Sequence, residues 1–89
     1  MKAVITVTGK DAVGIIAEIS AKCAENNANI IDITQSVMSE YFAMIMLVEI
    51  NALKIKFADF ADVLSEIGRE RSLVISAVHE DIFNTMHHI

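Results

Sequence analysis

Proline is absent from the 89 residues, and cysteine occurs once, at Cys23. With no proline, 54% hydrophobic residues and charge spread along the chain, disorder and low complexity are poor readings. A lone cysteine allows neither an intrachain disulfide nor a cysteine pair for zinc. Basic residues are also scarce. Seven lysines and arginines stand against twelve acids, for a net charge of −5, which argues against a nucleic-acid or polyphosphate surface. Affinity there comes from cations that replace counterions. The longest apolar run, Tyr41–Val48, falls well short of the roughly 20 residues that a bilayer crossing needs. Lys2 leads into a stretch broken by threonines, unlike an export signal. The expectation is a cytoplasmic protein of one domain over residues 1–89, burying about 60–65% of the surface its unfolded chain would expose.

What is present is strong periodicity. Lys2–Thr8 sets Ala3, Ile5 and Val7 against Val4, Thr6 and Thr8, the alternation of a strand. From Asp11 the period lengthens, with Ile15, Ile16, Ile19 and Cys23 on one helical stripe. Asn26 and Asn27 suit its end because asparagine tolerates a left-handed backbone. Asn29–Met38 and Tyr41–Ile50 read as a hairpin turning at Ser39 and Glu40, the first an edge strand, the second a sheet centre. Phe57, Phe60, Ala61, Leu64 and Ile67 mark a second helix, Leu73–His79 a last strand, and Asp81–Ile89 a short terminal helix with Asp81 as its cap.

The predicted order is βαββαβ, an α+β, ferredoxin-like arrangement. Right-handed crossovers then give an antiparallel four-stranded sheet of order 4-1-3-2, with two helices on one face and the terminal helix appended. The opposite face carries Val4 and half of strand three, an apolar patch that points to an oligomer.

GKDAVGII, residues 9–16, follows the first strand and invites a phosphate-loop reading. Ile15 and Ile16 occupy the places where such a loop needs its lysine and hydroxyl, so neither phosphates nor magnesium would be held. A dinucleotide fingerprint needs three glycines, and only Gly9 and Gly14 are there. Acylphosphatases share the topology but use an arginine in this loop, and no arginine precedes Arg69. Copper chaperones need paired thiolates. RNA-recognition domains carry aromatics on strands one and three, of which Tyr41 and Phe42 are a faint echo. What remains is a strand-to-helix junction where Asp11 can cap the helix, Gly14 permits close approach, and first-turn amides can receive a carboxylate.

Asp11-Ala12-Val13-Gly14-Ile15, a helix, then Asn29-Ile30 opening strand two together resemble the ACT domain, a regulatory module that binds amino acids. The resemblance covers essentially the whole chain, and Asp81–Ile89 looks like the closing helix of its small stand-alone members. It implies a ligand site at Gly9, Lys10, Asp11, Ala12, Val13, Gly14, Ile15, Asn29 and Ile30. In relatives such as the regulatory domain of phosphoglycerate dehydrogenase, the roles of ligand holders correspond to Asp11 and Asn29. Relatives also pair two subunits through strand two, which would set Asn29 against Asp11 of a second copy. Serine-binding members have a histidine where Gly9 stands, and many members have proline in place of Val13. The residue chemistry is compatible: Asp11 can accept from an ammonium group, while the Val13, Gly14 and Ile15 amides and the Asn29 amide can donate to a carboxylate.

Each of these residues also has a plainer use: Asp11 as a helix cap, Gly14 for helix–sheet packing, Asn29 as a strand start. Cys23 reads as an inert core thiol, Met38, Met44 and Met46 as filler, and Arg69 and Arg71 as part of a solvated helix face. His79, His87 and His88 read as solvated, with no metal site. The expected function is a non-enzymatic, homodimeric sensor of a small amino acid or related metabolite. It needs no cofactor, and its output passes through an unidentified regulated protein or a change of assembly. The alternative is a ligand-free interaction or scaffold module acting through a sheet edge or face.

Overall fold

A computed structural model describes residues 1–86. Its elements are β1 (Lys2–Gly9), α1 (Ile15–Glu25), β2 (Asn29–Met38), β3 (Tyr41–Glu49), α2 (Phe57–Arg71), β4 (Val74–His79) and α3 (Glu80–Met86). The four strands form one sheet of order β2-β3-β1-β4, every pairing antiparallel. This is the expected 4-1-3-2 order read from the other edge.

Alternation decides which strand residues meet the helices. Ala3, Ile5 and Val7 of β1, Met44, Met46 and Val48 of β3, and Ile75 of β4 join one buried cluster with Ile15, Ile19 and Cys23 of α1 and Phe60, Leu64 and Ile67 of α2. Both long helices therefore cover the same sheet face. Truncating a fully buried member such as Leu64 to alanine would cost about 2–5 kcal/mol, since transfer and cavity terms add. β2 lies at the edge and keeps most of its residues exposed, while β3 lies between β2 and β1. A bulge at Ile31 shifts the β2–β3 register.

Asn27 takes a left-handed φ of 60° after α1, and the Ala28 amide returns to the Cys23 carbonyl at 2.9 Å. Asparagine thus ends α1 as expected. β1 runs one residue further than expected, to Gly9, and β3 ends one residue earlier, at Glu49. Three other boundaries also differ. α1 begins at Ile15 rather than Asp11, because Gly14, at φ 75°, breaks the helical path just before it. β4 begins at Val74, Leu73 being buried in the turn that precedes it. α3 continues directly from β4 at Glu80, so Asp81 sits inside its first turn and is not its cap. The expected continuation of this helix to Ile89, with His87 and His88, lies outside the described residues.

Val4 points away from the main core by strand alternation, yet is only 4% exposed. α3 packs against β1 and β4, the strands around it. The expected apolar patch is thereby narrowed to the β2–β3 side, where Ile45 remains exposed.

Candidate functional site

The segment between β1 and α1 is shaped by its own polar groups. Asp11 Oδ1 accepts a hydrogen bond from the Val13 amide at 3.2 Å, and the Ile15 amide donates to the Ala12 carbonyl at 3.0 Å. Asp11 therefore stabilises a tight turn ahead of the helix and does not cap α1, whose preceding residue Gly14 makes no side-chain cap bond. Two of the amides expected to be free, Val13 and Ile15, are engaged within the loop. Among the described residues those of Gly14, Ile16 and Ala17 have no partner in the chain. The start of α1 thus retains unpaired donors, as helix starts do.

Register brings the hairpin tip to this loop. Gly9 pairs with Phe42, and Met38 pairs with Tyr41 across the turn. Between loop and tip lies a concavity of about 610 Å³, lined by Lys10, Asp11, Ala12, Val13 and Ile16 on one side and by Gln35, Val37, Ser39, Glu40, Tyr41 and Phe42 on the other. Lys10 spans it. Its Nζ is 3.5 Å from Glu40 Oε2 and 5.6 Å from the centre of the Tyr41 ring, within cation–π range. The concavity therefore presents both signs of charge beside an apolar wall. The hairpin residues were absent from the expected site, although the antiparallel order already places the start of strand three beside the end of strand one.

Behind the loop stands Arg71. Its Nη1 donates to the Val13 carbonyl at 2.8 Å, and its Nε lies 3.0 Å from Glu18 Oε1. The expectation of a solvated helix face is correct for Arg69, which pairs with Glu66 one turn earlier. It is wrong for Arg71, whose position as the last residue of α2 turns its side chain toward the loop.

Asn29 and Ile30 lie at the other end of the sheet. Asn29 pairs with Glu49, while the loop meets β3 at Phe42. At about 3.3 Å per residue, these positions are roughly 23 Å apart along β3. Asn29 is exposed and lines a separate hollow with Ala24, Asn27 and Ala28. Ile30 packs against the core. One chain thus gathers Lys10, Asp11, Ala12 and Val13 around the concavity, with Gly9, Gly14 and Ile15 next to them in the chain, and does not bring Asn29 or Ile30 to it.

Other reactive groups are held apart from this site. Cys23 is 1% exposed, and burial pushes its thiol pKa up to about 11, consistent with an inert core thiol. His79 departs from the solvated expectation: it is half-buried, its ring centre is 4.3 Å from that of Phe57, and its Nδ1 has no partner among the described residues. The Asn51 backbone amide holds the Glu49 carboxyl below its ordinary range, assisted by the terminal ammonium of Met1. Among the described residues no group of three or more His, Cys, Asp or Glu is placed to hold a metal ion, and no helix is long and apolar enough to cross a membrane.

Comparison with known proteins agrees with this architecture. The chain is 48% identical over 88 residues to a UPF0237 protein of Methanocaldococcus jannaschii, covering 99% of this chain and 98% of that one. It is 48% identical over 89 residues to a UPF0237 protein of Clostridium perfringens, each chain being covered in full. The solved structure of an ACT domain protein from Streptococcus pneumoniae superposes with a TM-score of 0.79 at 40% identity, with 93% of each chain covered. Residues 2–77 match the sequence pattern of the ACT domain. The chain belongs to the ACT domain family, whose members are regulatory modules.

Proposed function

We propose that this protein is a non-catalytic sensor that binds a small amino acid or a related metabolite in the concavity between the Lys10–Val13 loop and the β2–β3 hairpin. The observation that carries this reading is the concavity itself, lined by Lys10, Asp11 and Glu40 and by Ile16, whose amide is unpaired among the described residues. A zwitterion needs donors for its carboxylate and acceptors for its ammonium group. Lys10 and the unpaired Ile16 amide serve the first need, and the second oxygen of Asp11 with Glu40 serves the other. Val37, Phe42 and Ile16 provide an apolar wall for the remainder of the ligand.

In this reading Asn29 belongs to the site through a homodimer. β2 is an edge strand with exposed backbone, the kind of edge that recruits another strand. Two copies of β2 paired antiparallel about a two-fold axis between Ile33 and Thr34 would set Asn29 of one copy opposite Met38 of the other. Asn29 would then stand near the loop of the second copy. The signal would leave through the assembly itself or through a regulated protein that recognises it.

A thermal-shift panel of the free amino acids tests this. A ligand at about a hundred times its Kd adds about 2.7 kcal/mol to folding stability, and Asp11→Ala should remove the shift. A wild-type protein indifferent to the whole panel favours the second reading, a ligand-free interaction module. That reading draws on the strongly exposed Val37 and Met38 at the end of β2.

A further inference from the structure

Arg71 touches the candidate site from behind, and its contacts are of an unusual pair. One planar guanidinium donates to the Val13 carbonyl through Nη1 and meets Glu18, in the first turn of α1, through Nε. It thereby ties the Val13 carbonyl to the start of the helix through two donors held in one rigid plane, a geometry that a flexible ammonium does not preset. Ser72 follows in a left-handed turn at φ 59°, and this turn carries Leu73 back beneath the other end of the loop. A Cβ at Gly9 would overlap the Leu73 side chain there. The three consecutive residues Arg71, Ser72 and Leu73 thus hold the loop at both ends.

We infer that Arg71 is a positioning residue for the ligand loop, which makes the α2–β4 turn and the loop one mechanical unit. The ligand role rests on the reading of the concavity proposed above; the positioning role stands on the contacts alone. Val13 is exposed, so water can replace Arg71 at its carbonyl. The loss of Arg71 therefore disturbs loop order far more than global stability.

Amide hydrogen exchange on the full chain, followed residue by residue by NMR for wild type, Arg71→Ala and Arg71→Lys, separates these effects. In Arg71→Ala the Val13 and Ile15 amides should exchange about tenfold faster, while those in the centres of β1 and β3 stay within about twofold of wild type. Arg71→Lys restores charge beside Glu18 but not the fork, so it should fall between the two. Unchanged exchange at Val13 and Ile15 in Arg71→Ala would overturn the inference. So would equal acceleration throughout the sheet in both variants, which would mark Arg71 as a general stabiliser. In a titration with whichever amino acid shifts the wild-type melting point, Arg71→Ala should bind about tenfold more weakly, as misplaced contact groups do. Unaltered affinity would also overturn the inference. Should no amino acid bind wild type, the ligand reading fails while the exchange result still decides the role of Arg71.

Discussion

The Asp11 carboxylate and the Val13 amide are joined at 3.2 Å, a bond that folds the loop back on itself before α1 begins at Ile15. The segment is therefore a formed turn, and the helix start behind it keeps unpaired donors. That bond and the left-handed Gly14 shape the loop side of the concavity, while the β2–β3 hairpin supplies the other wall and Lys10, Asp11 and Glu40 its charge.

Gly14 is the position at which the backbone itself resists substitution. Its φ of 75° is open to glycine, whereas an L-residue with a Cβ loses about 1–2 kcal/mol there. Gly14→Ala should lower stability by about that amount, read as a reduced urea midpoint at an unchanged slope. Asp11→Ala removes one exposed hydrogen bond and should cost about 0.5–1.5 kcal/mol, with loss of any ligand response.

Lys10 and Glu40 make an ion pair 3.5 Å apart with both side chains well exposed. Solvent screening limits such a pair to about 0.2–1 kcal/mol. A double-mutant cycle with Lys10→Ala and Glu40→Ala should return a coupling in that range that falls as salt rises. Each single variant should nevertheless weaken binding of the charged ligand, so stability and affinity should separate at these two positions.

Cys23 should be unreactive toward a chromogenic disulfide reagent at pH 8 in the folded protein and react promptly in denaturant. Its folded thiol ionises near pH 11 because of burial, against about 8.5 for an unperturbed cysteine. The folded state keeps its proton longer, so the associated stability is complete below the unfolded pKa and declines as pH rises through the folded one. Urea midpoints for wild type should fall between pH 8 and pH 11, and the decline should be shallower for Cys23→Ala.

The β2 edge gives a test of assembly. The Ile33 amide is bonded to the Asp32 carboxylate at 2.9 Å, so proline at Ile33 removes that edge bond and is the kind of substitution edge strands accept. Wild type should scatter light as a dimer. Ile33→Pro should keep its circular dichroism and scatter as a monomer. A wild-type monomer at every concentration would remove the shared site and Asn29 with it.

The strands were legible because Ala3, Ile5 and Val7, and then Met44, Met46 and Val48, must all face one apolar layer, and alternation writes that requirement into the chain. The helices were legible from Ile15, Ile19 and Cys23, and from Phe60, Leu64 and Ile67, for the same reason at a longer period. Asp11 misled about the start of α1 because an aspartate that bonds an amide two residues on can close a turn or cap a helix, and residue type alone does not separate them. Arg71 was missed because its partner, Val13, is 58 positions away in the chain, beyond any local rule. The hairpin wall was within reach of the expected strand order, since antiparallel pairing sets Phe42 beside Gly9. Asn29 shows the converse: that same order sends it to the far end of β3, so only a second copy can return it to the loop.

The most direct test is a two-dimensional NMR titration of the isotopically labelled full chain with each free amino acid. At least one should move the Gly14, Ile16 and Ala17 amides together with those of Glu40, Tyr41 and Phe42, saturably and with a single Kd. Saturable shifts confined to other parts of the sheet, or none from any amino acid at millimolar concentration, would contradict the account.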